Sequence, residues 1–302
     1  MKKITSLKNA QIRVFPSDRH HTIDTFMLLA EYVAGQLSEL TPEFWSFYEP
    51  INKPFDIQDI KKAFIFSYES YLQKYPTRHE VWAKAKPGHS YGFPTPERWL
   101  ASMLDFYWKR KNKPKAWGSI SAMKWLGAGD PCHAHISMYA DIDRKLEPSI
   151  IAYLKQSSQK FNGHYGYYDS IVPEYKEVSR ANGTHGDIFV TSLELQKKLP
   201  DIFWCQVFGA PYVRLFGLEI LLSAPAFKVE QLGPEMVYVQ LSETLFDMHE
   251  RYAEVDAVRQ RVKAHLDDNI FFKPENTPDH VYRTPDFEFP PCPREPLETG
   301  SK

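Results

Sequence analysis

Ile202-Phe203-Trp204-Cys205-Gln206-Val207-Phe208 is apolar at every position except Gln206, the pattern of a strand covered on both faces. Gly209-Ala210-Pro211 breaks the run, and Pro211 suits the first turn of a helix, where its missing N–H leaves no bond unmade. Within residues 212–222, Val213, Phe216, Gly217 and Ile220 share one stripe at helical spacing. Gly217 weakens such a helix, and the expected compensation is close approach of a neighbouring backbone. Ser223-Ala224-Pro225 ends it. Phe227, Val229 and Gln231 then alternate with Lys228 and Glu230, which predicts a half-buried strand. Gly233-Pro234-Glu235 turns the chain into a second strand over residues 237–241.

Composition sets the wider bounds. A chain of 302 residues with 43% apolar and 25% charged residues can bury a sizeable core. Aromatic residues reach 15%, enough that some are expected at surfaces or interfaces. A formal net charge of -1 gives no electrostatic case for nucleic acid or an anionic membrane as partner. Cys132, Cys205 and Cys292 are scattered and odd in number, so neither a disulfide framework nor a zinc site follows from their spacing. The first residues lack the apolar run of a signal peptide, and no stretch reaches the length of a membrane span. A reducing cytoplasm is the expected location.

Taken in order, residues 11–15 read as a strand and residues 22–40 as a helix. Thr41-Pro42-Glu43 and Thr95-Pro96-Glu97 share a helix-start signal, the second opening a predicted helix over residues 98–110. Residues 116–126 and 133–142 read as strands, and residues 146–161 as a helix. The middle is rich in turn residues: Asn162-Gly163 precedes Tyr165, Tyr167 and Tyr168, and Asn182-Gly183-Thr184-His185-Gly186 forms a second turn. A helix over residues 245–266 buries Leu245, Met248, Tyr252, Val255, Val262 and Leu266, with an interruption expected at Asp256. These elements predict an α+β protein of two α/β subdomains, residues 1–162 and 163–272, followed by a Pro-rich extended tail, 273–302. The order helix, strand, strand, helix recurs over 98–161 and 212–266, suggesting a duplicated α-β-β-α unit, although the residues themselves do not repeat.

Candidate chemistry is sparse. On a strand, His133 and His135 project to one face and could share a cation, as in a metal-dependent hydrolase. A third ligand at a defined spacing is missing, so hydrogen-bonded histidines are the simpler reading. His185 and Asp187 could act as a base and its orienting acid, but no activated nucleophile accompanies them. Phosphate-binding glycine loops and nucleophile elbows are absent, no cofactor is implied, and catalytic residues are not assigned. The other class of site is an interface. Tyr165, Tyr167 and Tyr168 on a glycine-containing loop, with the His185/Asp187 turn, could border a groove that receives a protein partner. The same tyrosines could instead seal a sheet end.

Val207-Phe208-Gly209-Ala210-Pro211-Tyr212-Val213-Arg214-Leu215-Phe216-Gly217 resembles a recurring segment of the bacterial immunity protein 52 family. The resemblance continues through Leu221-Leu222-Ser223-Ala224-Pro225-Ala226 and Val229-Glu230 to Arg261-Val262-Lys263-Ala264-His265-Leu266 and Phe271-Phe272, with Trp117-Gly118 besides. It implies a non-enzymatic protein that binds and neutralises a cognate secreted toxin of a polymorphic-toxin or type VI secretion system, often a nuclease. The matching positions are mostly apolar, so they imply a shared scaffold without locating the toxin-binding surface. Oligomeric state does not follow from the resemblance.

Overall fold

The computed structural model describes residues 4–17, 31–32, 35, 42–46, 53–60, 62, 104–108, 116–121, 124–125, 131–172, 195–199, 201–273, 276–277 and 280–288. In chain order the strands are β1 (Ser6–Phe15), β2 (Phe44–Ser46), β3 (Lys53–Pro54), β4 (Leu104–Trp108), β5 (Ala116–Ser121), β6 (Lys124–Trp125), β7 (Pro131–Cys132) and β8 (His135–Asp143). Helix α1 (Glu147–Lys160) and strands β9 (Tyr165–Asp169) and β10 (Cys205–Phe208) follow. The chain continues through α2 (Ala210–Phe216), α3 (Leu218–Leu222), β11 (Lys228–Gly233), β12 (Met236–Gln240), α4 (Asp247–Glu250) and α5 (Tyr252–Leu266). The protein is α+β.

Two compact units divide the chain. One comprises Met1–Ser17, Lys109–Gly118 and Ser137–Phe287; the other comprises Asp18–Trp108, Ser119–Ile136 and Glu288–Lys302. In the second unit β4, β2 and β3 form antiparallel neighbours, and β6 pairs with β7. In the first, the sheet runs β11-β12-β10-β9-β1-β8. A boundary at residue 162 would separate β1 and α1 from β9, to which β1 is directly hydrogen-bonded.

Strand β9 lies between β1 and β10, with Tyr165 opposite Phe15 and Phe208, and Tyr167 opposite Arg13 and Gln206. Because side chains alternate along a strand, Tyr165 and Tyr167 share one face while Gly166 and Tyr168 share the other. Helix α1 covers the Gly166 face: a Cβ at Gly166 would sit 3.0 Å from Leu154 Cδ1. Helix α2 covers the opposite face, where the rings of Tyr165 and Tyr212 lie 5.3 Å apart. Helices on both sides explain why β9, β10 and β12 are buried at every residue. Helix α1 itself opens on Glu147 and Pro148 and closes on Lys160, charges that suit the helix dipole, and it buries Ile150, Tyr153, Leu154 and Ser157 along one stripe.

Several expectations are revised. The strand expected from Ile202 begins at Cys205, because residues 202–204 are held chiefly by side chains, with one backbone bond from Leu241 N to the Trp204 carbonyl at 2.9 Å. Phe203 N donates to Gln206 Oε1 at 3.2 Å, Trp204 N to Asp169 Oδ2 at 3.0 Å, and Ile202 O accepts from Arg259 Nε at 2.8 Å. The helix after Pro211 breaks at Gly217, whose φ of 94° belongs to glycine; no backbone crowds that position, so conformation rather than close approach explains the residue. The break turns Ile220 outward, 42% exposed, while Val213 and Phe216 stay buried. Phe44–Ser46 and Leu104–Trp108 are strands where helices were expected, since pairing between β2 and β4 overrides local helix-start signals. The C-terminal helix is interrupted at Arg251 (φ -143°, ψ 44°), not at Asp256, which lies inside α5 and pairs with Arg259. Most of the helix expected over residues 22–40 lies outside the described residues.

Gly209 is the tightest point. Its conformation is extended, but a Cβ there would fall 1.9 Å from the Gly163 carbonyl oxygen. Gly209→Ala is therefore expected to lose more stability than the roughly 1–3 kcal/mol of ordinary overpacking. Gly217→Ala has room for its Cβ and should lose about 1–3 kcal/mol from backbone strain alone. Urea denaturation of both variants checks the ranking; a smaller loss at Gly209 would show that the contact relaxes.

Candidate partner-binding groove

The tyrosines do not form a surface loop. Tyr165, Tyr167 and Tyr168 are interior residues of β9, each with 0% of its surface exposed. Tyr167 stacks on Phe203 at 4.0 Å, Tyr168 meets Trp204 edge-on at 5.5 Å, and the Tyr165 hydroxyl donates to Gln206 Oε1 at 3.0 Å. Burial raises the pKa of Tyr165 and Tyr168 well above the ordinary phenol value. Sealed in this way, they cannot anchor a partner. His185 and Asp187 lie outside the described residues.

His133 is buried and His135 half-buried. Among the described residues no group of three or more His, Cys, Asp or Glu side chains converges as a metal site. Cys205 is fully buried and its thiol pKa is raised by burial, which suits an inert core residue rather than a nucleophile.

A surface feature with binding geometry lies elsewhere in the same unit. Pro225, Ala226 and Phe227, the segment entering β11, face α5 across an open cavity of about 400 Å³. Leu241, Val255 and Val258 contribute its apolar wall, while Glu243, Arg251, Glu254 and Arg261 supply charge. Phe227 is 56% exposed despite its size. Arg251 is held by Asp247 at 2.9 Å and Glu254 at 3.1 Å, whereas Arg261 makes no ion pair among the described residues.

The wall of this groove is fixed from behind. Ser242 Oγ accepts from Trp204 Nε1 at 2.8 Å, and Gln240 Nε2 donates to the carbonyls of Ser242 and Glu243 at 2.6 and 3.1 Å. Glu147 of α1 reaches across to accept from Thr244 Oγ1 at 2.8 Å and Leu245 N at 3.2 Å. Burial raises the Glu147 pKa above 4.5, against the lowering effect of those two donors. Preformed walls, an exposed aromatic ring and a mixed-charge rim are features of protein-docking surfaces. Three separate segments build the groove, so the sequence left no trace of it: Phe227, expected on the apolar side of a half-buried strand, is instead largely exposed.

Two outcomes follow. Tyr168 is fully buried, and its hydroxyl finds no hydrogen-bond partner among the described residues. Tyr168→Ala should cost roughly 3–5 kcal/mol, as for other buried aromatics, while Tyr168→Phe should be neutral or slightly stabilising because no bond is lost. Thermal unfolding of the pair separates ring packing from hydroxyl chemistry. For Glu147 the sign is set by a raised folded pKa: its contribution is fully present below pH 4.5 and is lost as pH rises through the folded value. Glu147→Gln keeps an acceptor oxygen and removes the charge, so its stability relative to the parent should grow as pH rises from 4.5 toward neutrality. Parallel denaturation curves at all pH values would contradict this.

No protein-family profile matches the chain, and no curated protein matches it. The resemblance to the immunity protein 52 family thus rests on the short segments quoted above. Among solved structures, the chain is similar to a T6SS protein of Pseudomonas aeruginosa, with a TM-score of 0.42 and 11% identity, over 95% of this chain and 81% of that one.

Proposed function

We propose that this protein is a cytoplasmic immunity protein that binds and neutralises a secreted toxin of a type VI or polymorphic-toxin system, without itself catalysing a reaction. The quoted segments, from Val207 onward, support the class of function. The groove beside Phe227 supports the mode, because a rigid apolar cleft rimmed by charge suits a polypeptide better than a reacting small molecule. The resembling segments supply part of that scaffold: they run from the end of β10 through α2 and into α3, and they contribute Pro225, Ala226 and Arg261 to the groove. A nuclease is the toxin class that the resemblance favours. A net charge of -1 departs from the simplest inhibitor of a nuclease, an acidic decoy for the DNA-binding cleft, and favours contact through mixed apolar and charged surface.

The test uses the product of the adjacent open reading frame as the probe, with calorimetric binding and inhibition of its toxic activity as readouts. Binding with inhibition is expected for the parent protein. Val258→Asp combined with Arg261→Glu should weaken binding at least about tenfold, roughly 1.4 kcal/mol, while the unfolding temperature is retained. Absence of binding by the parent sinks the functional reading. Unchanged affinity in the folded double variant leaves that reading standing and removes the groove from the interface.

A further inference from the structure

The outer edge of β11 carries a second interaction surface, and its residues specify what pairs with it. Strand β11 ends the sheet: β12 occupies one side, and among the described residues no strand pairs with the other. Terminal strands offer unpaired backbone donors and acceptors and are either shielded or used for association. This edge is not shielded by an apolar-poor surface. Of the five large exposed hydrophobic residues among those described, Phe227 at 56% immediately precedes this strand, and Ile220 at 42% and Leu222 at 37% lie on α3, which packs against β11.

The charges on the strand are self-complementary. Lys228 and Glu230 project to one face of β11, where Glu230 also receives Lys155 of α1 at 2.6 Å. That hydrogen bond from Lys155 is the main cause lowering the Glu230 pKa, so the carboxylate stays charged. Val229 projects to the opposite face, and Phe227, immediately before the strand, lines the groove beside α5. An antiparallel pairing of β11 with itself, centred on Val229, sets Lys228 of each copy opposite Glu230 of the other. It also sets Val229 against Val229 and brings Phe227 beside the other copy's Val229 and Gln231. One face of the junction is then ionic and the other apolar, and both are satisfied by the same two-fold register.

We propose that β11 pairs edge to edge with β11 of a second copy of this chain, in an antiparallel two-fold arrangement centred on Val229. A one-residue slip would place the charges and Phe227 on mismatched faces, so the pattern selects this register. The pairing shares Phe227 with the groove, but its test does not touch the groove, since neither Lys228 nor Glu230 lines it. Val258 and Arg261, which test that role, lie on α5 rather than on this edge.

Sedimentation velocity of the full chain across a wide concentration range is the test. The expected result is a concentration-dependent species of twice the 35.2 kDa chain mass. Lys228→Glu alone opposes two acids at each end of the junction, and Glu230→Lys alone opposes two bases; each should weaken self-association at least about tenfold. Mixing the two variants in equal amounts pairs acids with bases again and should restore the dimer as a heterodimer. Thermal unfolding confirms that each variant is folded, and Lys228 is exposed, so its substitution leaves the interior untouched. A chain that stays monomeric at every concentration overturns the proposal, leaving the edge to be shielded by its charges or paired with an unrelated strand. A dimer insensitive to either substitution also overturns it, by placing the interface elsewhere.

Discussion

The approach of Gly209 to Gly163 is the constraint on which the first unit depends. Gly209 N donates to the His164 carbonyl at 3.0 Å, and Gly163 N donates to the Ser158 carbonyl at 2.7 Å. The end of β10 is thereby tied to the turn that leaves α1. Asn162, with φ of 46°, lets the chain reverse at once into β9. With the turn and the strand end in contact, α2 must begin immediately, and Pro211 sets its first turn. Helices α1 and α2 are then committed to opposite faces of the same sheet. A side chain at Gly209 separates these elements, because its Cβ falls on the Gly163 carbonyl, whereas a Cβ at Gly163 would meet nothing closer than Ser158 at 3.3 Å. No change in the surrounding apolar residues can compensate for a clash with backbone.

Burial on both faces creates a second demand, because polar groups in β9, β10 and the segment before them have no access to water. Side chains meet it. Gln206 Oε1 accepts from both Tyr165 and Phe203, Asp169 from Trp204 and Ser170, and the buried Arg259 joins Ile202 O to Asp256. Lys263 adds an ion pair to Asp201 at 3.3 Å, both largely buried. Helix α5 thus does more than cover apolar surface: its Arg259 and Lys263 hold the irregular segment that feeds β10. Removing one member of such a set leaves a buried partner without compensation, which costs more than the bond itself contributes.

Sequence reasoning succeeded where structure is decided locally. The β10-turn-helix-hairpin order, α1 with its Glu147-Pro148 opening, and the α+β class all follow from periodicity and turn chemistry within a few residues. It failed where a distant partner decides. Tyr165-Gly166-Tyr167-Tyr168 has turn residues on its N-terminal side and tyrosines within, and reads as an adaptable loop. Its identity as a central strand comes from β1 and β10, which lie about 150 residues before it and about 40 after it in the chain. Thr41-Pro42-Glu43 carries a sound helix-start signal that pairing with β4 overrides. The continuous helix expected through Gly217 breaks because glycine permits a conformation that the stripe argument does not consider. The groove was illegible because residues 225–227, 241–243 and α5 meet only in three dimensions.

The division between what is legible and what is not has a physical basis that bears on function. Residues shared with a family by resemblance, such as Val207, Phe208, Gly209 and Phe216, sit where packing permits few alternatives. Groove residues outside those segments, such as Phe227 and Val258, touch water on one side, so exchanging them perturbs the core little. A scaffold of this kind can keep its sheet and helices while its exposed positions change to suit another partner. The toxin recognition proposed above would suit that arrangement, because specificity resides in a few anchors and in charges set against the wrong partner, not in the fold. The rigid attachment of the groove wall through Ser242, Gln240 and Glu147 matters in the same way. It keeps the surface preorganised whichever residues occupy it, and so lowers the ordering cost of binding for each partner it comes to fit.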